Sequence, residues 1–241
     1  MGLIDIHNHM MPRVDDGSKS IAMTCEMLKI AYAEGIDTII LTPHYKSGHL
    51  HVAPYEIRRF ADEMTRISAE YDVPVTFHPG NEIRYYSRAI DRLEKEIALT
   101  LADSDYALIE FEPPDPFEKI IAAIKELTYA GYIPIIAHAE RYRCMCEDLN
   151  NWQDVLDMGG LIQINCGSVM GKHGHEQKAY THKLLKEQAV SFIATDAHRD
   201  TVRAPYMREC VDFIYRKCGA EYADKIIDDN PRRVLNNDDI D

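Results

Sequence analysis

The stretch that decides the fold is LIDIHNHMMPRVDDG, residues 3–17. It begins with a short apolar run that is typical of a buried β-strand, and His7 and His9 follow that run one residue apart. Side chains two positions apart on a strand point to the same face, so both imidazoles lie on one side of it. Asp15 and Asp16 come a few residues later. Polar, metal-binding residue types therefore gather where the first predicted strand ends.

Further apolar runs recur along the chain, and amphipathic helical segments separate them. The seven predicted strands cover residues 3–6, 38–42, 74–78, 106–111, 133–138, 161–165 and 190–195. The helical segments include residues 20–35, 55–71, 117–131 and 208–219, with apolar residues at i, i+3, i+4 and i+7. Gly35, Gly131 and Gly219 are predicted to end three of these helices. Near-continuous apolar strands that alternate with helices predict an α/β fold, with a parallel sheet covered on both faces or closed into a barrel.

Composition limits the class of protein. The 241 residues are 46% hydrophobic and 28% charged, and no linker or low-complexity tract interrupts them, which predicts one domain over residues 1–241. No apolar stretch approaches the roughly 18 to 20 residues that a membrane span needs. The start lacks the basic and apolar regions of a signal peptide, so we expect a cytoplasmic protein with six reduced cysteines. A formal net charge of −13 argues against nucleic acid and acidic lipid as partners.

Polar residues end almost every predicted strand. His7 and His9 follow the first predicted strand. The second to seventh strands carry, in order, His44, Glu82, Glu110, His138 with Arg141, Asn165 with Ser168, and Asp196 with His198. The carboxyl ends of parallel strands meet at one face of the fold, where active sites are built. A single histidine at a strand end is more often structural, by odds of roughly two to one. Repetition at six strand ends favours a metal site instead.

Glu110 is the sharpest single signal. Its neighbours Ala107, Leu108, Ile109 and Phe111 indicate a buried strand. A carboxylate in such surroundings is costly unless it is paired or bound to a metal ion. Mixed imidazole and carboxylate ligands without thiolate suit Mn²⁺, Fe²⁺ or Zn²⁺ better than Ca²⁺ or Mg²⁺.

The motifs DIHNH, DDG, TPHY, NEI, LIEF, AHAER, QINCGS and TDAH, in this order, resemble the polymerase and histidinol phosphatase (PHP) superfamily. Within it they are most similar to the manganese-dependent protein-tyrosine phosphatases encoded with bacterial capsular and exopolysaccharide genes. The likeness runs from residue 3 to about residue 235, where DDNPRRVLNN resembles that family's closing helix. It implies a distorted seven-stranded (β/α)7 barrel, a TIM-like PHP fold that holds three divalent metal ions, with Mn²⁺ first and Fe²⁺ or Zn²⁺ as alternatives.

The resemblance also implies a role for each matching residue. Two arginines would grip the phosphate, namely Arg141 of AHAER and Arg203 of RAP, whereas Arg199 departs from the Asn or small residue expected after DAH. A metal-bound hydroxide would attack phosphotyrosine in a protein substrate such as a tyrosine kinase of capsule synthesis. The implied metal ligands are His7, His9, Asp16, His44, Glu82, Glu110, His138, Asp196 and His198.

Other readings stay open from the sequence. The same chemistry would serve a small-molecule phosphatase such as histidinol phosphatase, and a non-catalytic binding or scaffold domain could keep the fold. Cys210 and Arg216 match the spacing of thiol-based tyrosine phosphatases, but the bulky residues between them have helical periodicity rather than a phosphate loop. We interpret His49 and His51, in the loop 45–54, as solvated. The oligomeric state cannot be read from the sequence.

Overall fold

The computed structural model describes residues 2–46, 48, 51–148 and 150–240. The strands found within these residues pair in parallel throughout. In chain order they are β1 (Leu3–Asp5), β2 (Ile36–Ile40), β3 (His44–Tyr45), β4 (Thr76–His78), β5 (Glu82–Arg84), β6 (Tyr106–Glu110), β7 (Ile133–Ile136), β8 (Leu161–Asn165) and β9 (Phe192–Ala194). They form a three-stranded sheet, β1-β2-β4, and a six-stranded sheet, β3-β5-β6-β7-β8-β9. The predicted α/β fold with parallel strands is confirmed.

A single seven-stranded barrel is not confirmed, because two predicted strands each continue into the other sheet. The second predicted strand is followed by β3, and the third is followed by β5. Pro43 and Pro79 lie in the two breaks, and proline has no N–H for a strand ladder. His44 and Glu82, predicted to follow strand ends, instead begin β3 and β5 and pair with each other. Strands of two and three residues carry no periodicity that a sequence pattern can detect.

The two sheets meet where the chain leaves β1 and β9. The Asp196 N–H donates to the His7 carbonyl at 2.8 Å, and the His9 N–H donates to the Ala197 carbonyl at 2.8 Å. Asn8 and Ala197 form a parallel bridge at the same place. These bonds hold the first and last strand ends side by side, although they lie at opposite ends of the sequence.

Helices connect the strands and cover them. The four predicted helices are confirmed as α1, α2, α4 and α9, with ends that differ from the prediction by at most two residues. Short 3-10 turns at Leu101–Asp103 and Ala139–Arg141 and a π-helical turn at Lys225–Asp229 complete the connections. The helices are α1 (Ile21–Ala33), α2 (Pro54–Glu70), α3 (Ala89–Glu94), α4 (Phe117–Tyr129), α5 (Arg143–Glu147), α6 (Asn151–Asp157), α7 (Cys166–Val169), α8 (His175–Lys186), α9 (Arg208–Cys218), α10 (Ala220–Asp224) and α11 (Asn230–Asn236).

Local sequence explains where the main helices begin and end. The Ser20 side chain accepts a hydrogen bond from the Met23 N–H and so caps the start of α1. Gly35, Gly131 and Gly219 follow α1, α4 and α9 with φ values of +92°, +89° and +87°. Glycine adopts this left-handed conformation without the steric cost that a side chain brings, so the predicted helix ends are confirmed.

Two groups of buried apolar residues pack against opposite faces of the strands. Along β6, Leu108 belongs to the inner group, whereas Ala107 and Ile109 belong to the outer group that contacts the helices. Burial on both faces explains why the strands are apolar almost without interruption. Val234 of α11 joins the inner group, so the predicted closing helix is present and covers that core.

Three smaller expectations can be compared with the described residues. None of the described helices is long and apolar enough to cross a membrane. All six cysteines are free, as expected for reduced thiols. Of the two loop histidines, His49 lies outside the described residues, whereas His51 is exposed and its ring centroid lies 5.7 Å from that of Tyr45.

Candidate metal centre and phosphate site

Nine histidine, aspartate and glutamate side chains converge at the carboxyl ends of the strands. They lie in β3, β5 and β6 and in the segments that follow β1, β7 and β9. Most are buried, while His44 is partly buried and Asp16 is exposed. The structure thus brings together every residue that the sequence predicts as a metal ligand: His7, His9, Asp16, His44, Glu82, Glu110, His138, Asp196 and His198.

These residues form four overlapping groups, each with the geometry to hold a metal ion. Within a group, one nitrogen or oxygen atom of every member lies within 4.8 Å of the others. Several residues belong to two groups, so the groups adjoin one another as in a multinuclear site. The groups are His9-Asp16-His44-His198, His7-His9-Glu82, His7-His138-Asp196 and His44-Glu82-Glu110.

Four of the five histidines are oriented through Nδ1. In each case Nδ1 lies within hydrogen-bond distance of a protein oxygen that can accept its proton, so Nε2 is the nitrogen available to a metal ion. Metal-binding histidines are usually held in this way, because the outer hydrogen bond fixes both tautomer and ring orientation. The four pairs are His9 with Asp15 (2.8 Å), His7 with Gln163 (3.1 Å), His138 with the Tyr142 hydroxyl (3.2 Å) and His198 with the Asp196 carbonyl (2.9 Å).

Three buried polar atoms of the cluster indicate that a cation belongs there. His44 Nδ1, Glu82 Oε2 and Glu110 Oε1 have no hydrogen-bond partner among the described residues. The two oxygens lie 2.8 and 3.1 Å from His44 Nδ1, yet not in hydrogen-bonding directions. An unpaired buried polar atom costs about 1 to 3 kcal/mol. A metal ion would satisfy all three atoms together, so the residues present fit such an ion.

The charges of the cluster also favour a cation. Burial lowers the pKa of His44, but the surrounding carboxylates, above all Glu82, outweigh burial and raise it to about 11. Burial raises the pKa of Asp196, whereas the neighbouring cations, above all His7, hold it well below its usual value. The carboxylates therefore stay ionised and attract positive charge. Because protons compete for the same imidazoles, metal binding strengthens as pH rises.

Three of the site residues have a strained backbone conformation. His138, Asp196 and Arg203 have φ values of +34°, +50° and +58°, in the left-handed region that side chains other than glycine rarely adopt. Such strain costs about 1 to 3 kcal/mol per residue and persists where the surroundings impose it, often at functional sites. All three side chains belong to the cluster or to the arginine pair beside it, so the strain is concentrated at the candidate site.

Arg141 and Arg203, the predicted phosphate-binding residues, meet at one carboxylate. Arg141 Nη2 lies 2.6 Å from Asp196 Oδ2, and Arg203 Nη2 lies 2.7 Å from the same oxygen. The two side chains are 30% and 29% exposed, so each guanidinium remains accessible from solvent. A guanidinium has five N–H donors, and Arg203 Nε has no partner among the described residues. Both arginines therefore retain donors for an anion beside the cluster.

Sequence reasoning missed the residues that surround the ligands. Asp15, Gln163 and Tyr142 each bind the Nδ1 of a cluster histidine, and Arg84 Nε lies 3.1 Å from Glu110 Oε1. Gln163 had a detectable signal, since it is a polar residue inside the apolar strand LIQIN, like Glu110 inside LIEF. Asp15 accepts a hydrogen bond, whereas Asp16 lies among the candidate ligands, and this difference depends on the geometry of the turn. The sequence alone cannot distinguish two neighbouring aspartates.

Arg199, the departure from the family pattern, joins two segments of the site. Its Nη1 donates to the carbonyls of Asp16 and Gly17 and, at 2.8 Å, to the His198 carbonyl. The guanidinium thereby fastens the turn that carries Asp16 to the segment that carries His198. Arg199 is half-buried, and the observed bonds give it a role in holding these two segments together.

The thiol-based alternative finds no support in the structure. Cys210 and Arg216 both lie within α9, and the Cys210 side chain is buried. A regular helix offers none of the free backbone N–H groups that a phosphate loop provides. Cys210 therefore lies in a helix that lacks the loop of a thiol-based phosphatase.

Two pockets adjoin the arginines. A pocket of about 920 Å³ borders Arg141 and is also lined by Pro113, Glu140 and Tyr180. A smaller pocket of about 310 Å³ borders Arg203 and is also lined by Lys172. Each of the two arginines therefore lines a recess of its own.

An α/β fold that gathers imidazoles, carboxylates and two arginines at its strand ends defines a candidate metal-dependent site for a phosphate ester. Residues 3–236 match the family described as capsular polysaccharide synthesis, CpsB/CapC, and the chain belongs to this family. The predicted resemblance to the phosphatases of capsule and exopolysaccharide genes is confirmed at this level.

Individual relatives cover almost the whole chain. Tyrosine-protein phosphatase YwqE of Bacillus subtilis (strain 168) is 34% identical over 242 residues, which are 99% of this chain and 93% of YwqE. Tyrosine-protein phosphatase CpsB of Streptococcus pneumoniae is 32% identical over 238 residues, 97% of this chain and 98% of CpsB. A crystal structure from work on YwqE and CpsB, described as unique metal-dependent tyrosine phosphatases, has a TM-score of 0.92 at 33% identity and covers 99% of this chain and 96% of that chain.

Proposed function

We propose that the chain is a metal-dependent phosphatase that hydrolyses phosphotyrosine in a protein substrate. The observation that carries this proposal is the cluster of nine ligand residues with Arg141 and Arg203 joined to it at Asp196. The relatives YwqE and CpsB are named tyrosine-protein phosphatases, which supports phosphotyrosine as the group that is hydrolysed. The scaffold alternative is less favoured, because all nine predicted ligand residues lie together in the cluster.

We further propose that the four residue groups hold three divalent ions, with Mn²⁺ as the native metal and Fe²⁺ or Zn²⁺ as alternatives. The imidazole and carboxylate donors support these metals. Divalent ions bound there supply a nucleophile from water at neutral pH, by lowering its pKa, and neutralise the phosphate oxygens. Their charge of +6 would exceed the −4 of Asp16, Glu82, Glu110 and Asp196, so an acidic protein would present a locally positive site to an anion.

The chain's own residues bind and orient the substrate. Arg141 and Arg203 both contact Asp196 Oδ2, and their remaining N–H groups would donate to oxygens of a phosphate bound beside that carboxylate. Asn165 fixes the shared carboxylate, since its Nδ2 donates to Asp196 Oδ2 at 2.8 Å. As negative charge on the oxygens grows during transfer, these charge-assisted bonds strengthen and stabilise the transition state.

Other features stay predictions. The two sheets would be the halves of one distorted seven-stranded barrel, and residues 1–241 would form a single phosphatase domain. Support for the barrel comes from the bonds between the segments after β1 and β9. A bacterial tyrosine kinase of capsular or exopolysaccharide synthesis as the substrate, and a cytoplasmic location, rest on the resemblance and the sequence alone.

Metal analysis and hydrolysis of an aryl phosphate test the proposal together. We expect two or three transition-metal ions per chain, activity that chelation abolishes, and recovery on addition of Mn²⁺. His138→Ala should lower kcat/KM by at least about 100-fold, roughly 2.7 kcal/mol, because it removes a buried ligand of the cluster. His175→Ala, at an exposed position on α8, is the matched control and should change little. Full activity after complete chelation would refute metal dependence.

Substrate comparison separates the two phosphatase readings. A phosphotyrosyl peptide and histidinol phosphate are assayed side by side with the same enzyme. We expect the peptide to have the higher kcat/KM, because open pockets flank the arginines on both sides. A clear preference for histidinol phosphate would refute the protein-phosphatase proposal and support the small-molecule alternative.

A further inference from the structure

A basic pocket lies beside the proposed phosphate site, and the function proposed above assigns it no particular ligand. It has a volume of about 310 Å³, and Arg203 forms the wall that it shares with the metal cluster. Lys172 and His173 also line it, and no aspartate or glutamate is among its lining residues. In a protein with a net charge of −13, a recess that contains basic but no acidic side chains is unusual.

Lys172 is directed to this pocket without a carboxylate to neutralise it. Its Nζ lies 4.8 Å from the centroid of the Tyr206 ring, a cation–π contact that limits where the flexible side chain can go. None of the described carboxylates forms a salt bridge with Lys172, although most lysines and arginines near the site are paired. The exposed Lys172 ammonium therefore keeps its hydrogen-bond donors for a partner from outside the chain.

Arg203 and His173 form another wall of the pocket, and Arg203 contributes an unpaired donor to it. Arg203 Nε is buried and has no hydrogen-bond partner among the described residues, while Nη2 is fixed by Asp196. His173 Nδ1 lies 2.9 Å from the Ser168 hydroxyl, and a side chain at Gly167 would collide with the imidazole. Glycine at position 167 therefore makes room for the ring that forms this wall.

The rim of the pocket is accessible and apolar. Val202 is 76% exposed and Tyr206 is 44% exposed, and both belong to the segment that carries Arg203. Large apolar side chains that remain exposed beside a charged recess are typical of a surface that contacts another protein. The arrangement suits a peptide chain that passes over the rim and places an anionic side chain in the recess.

We propose that the pocket formed by Lys172, Arg203 and Tyr206 binds the carboxylate of an aspartate or glutamate close in sequence to the phosphotyrosine. The inference rests on the proposed tyrosine-phosphatase function and defines its substrate class as acidic peptides. Arg203 borders both the phosphate site and the pocket, so the two anionic groups lie on either side of one guanidinium. Consecutive Cα atoms are about 3.8 Å apart, so the acidic residue lies within about three positions of the phosphotyrosine.

Matched phosphopeptides test the proposal. In one series, glutamate is placed at each position up to three residues before or after the phosphotyrosine, and each peptide has a glutamine counterpart. We expect one position at which glutamate raises kcat/KM about fivefold over glutamine, as a partly exposed charge pair would do. Lys172→Met keeps the aliphatic length and removes the charge, so the glutamate-to-glutamine ratio at that position should fall towards one.

Lys186→Met, at an exposed position on α8, is the control and should keep the wild-type ratio. Because the readout is a ratio measured within each variant, a general loss of activity does not imitate the expected result. Hydrolysis of all peptides with a ratio near one at every position overturns the inference and leaves the phosphatase proposal intact. A ratio that survives Lys172→Met also overturns it. Hydrolysis of none of the peptides refutes the phosphatase proposal, and the inference with it.

Discussion

Asp15→Asn tests how much the hydrogen bonds that orient the ligands contribute to metal affinity. Asp15 Oδ2 accepts hydrogen bonds from His9 Nδ1 at 2.8 Å and from the His44 N–H at 3.1 Å, while Oδ1 accepts from the Gly17 N–H at 2.8 Å. Asparagine keeps one acceptor oxygen, so at least one of these donors would face an NH₂ group. The Asp15 side chain is only 4% exposed, so water cannot easily replace the lost acceptor.

The expected loss follows from the bond removed. A hydrogen bond to a charged group contributes about 1.5 to 3 kcal/mol, and loss of such an outer-shell partner typically lowers metal affinity about 10- to 100-fold. Titration of the metal-free protein with Mn²⁺ by calorimetry, at neutral pH, measures this change. Asp62→Asn, at an exposed position on α2, is the control. If Asp15→Asn bound Mn²⁺ within about twofold of wild type while still folded, the assigned orientation of His9 would be wrong.

Three further expectations address other parts of the molecule. Arg199→Met removes the donor that fastens the Asp16 turn, so calorimetry should show roughly tenfold weaker Mn²⁺ binding; unchanged affinity would mean that the turn holds its shape alone. Cys210→Ser should leave kcat within about threefold of wild type, because this buried thiol lies on α9 and outside the ligand cluster; a folded but inactive variant, or a trapped phosphocysteine, would restore the thiol mechanism. Burial, opposed by hydrogen bonds from Thr195, raises the pKa of Asp5 from 3.8 to about 6. Between these two pKa values the Asp5 carboxyl is protonated in the folded state and ionised in the unfolded state. The protonated carboxyl therefore contributes stability that is fully present below pH 3.8 and is lost as pH rises through about 6. Urea unfolding in the presence of chelator measures the free energy of unfolding of wild type and of Asp5→Asn. The value for wild type minus that for the variant should fall by as much as roughly 3 kcal/mol over that pH range, and a constant difference would contradict the pKa shift.

The sequence predicts the ligand cluster because the order of strands and helices determines where the strand ends lie. Once strands and helices alternate, the carboxyl ends of all parallel strands must meet, so residues as distant as His7 and His198 become neighbours. The exact set, with Asp16 and not Asp15 as a ligand, comes instead from the resemblance to the phosphatase family. The breaks at Pro43 and Pro79 are different, because they depend on which hydrogen-bond ladder each short segment joins. Local pattern carries no information about that choice.

The hydrogen bonds behind the ligands escape prediction for a related reason, and β8 shows what they do. No residue of β8 is a predicted ligand, yet its side chains contact three of them. Gln163 Oε1 faces His7 Nδ1 at 3.1 Å and accepts from the His138 N–H at 2.8 Å. Its Nε2 donates to Asn165 Oδ1 at 2.9 Å, and Asn165 donates in turn to Asp196.

Only an amide can serve at position 163 in this chain of bonds, since it must accept at one end and donate at the other while remaining neutral. A carboxylate there would add a further negative charge to the cluster and would repel the Asn165 oxygen that now accepts from it. A leucine would leave the Nδ1 of His7 free to lose its orientation. Directional but uncharged side chains in the central strands let the carboxylates at the strand ends keep their charge for metal ions, and this division explains why polar residues interrupt LIQIN where no ligand is needed.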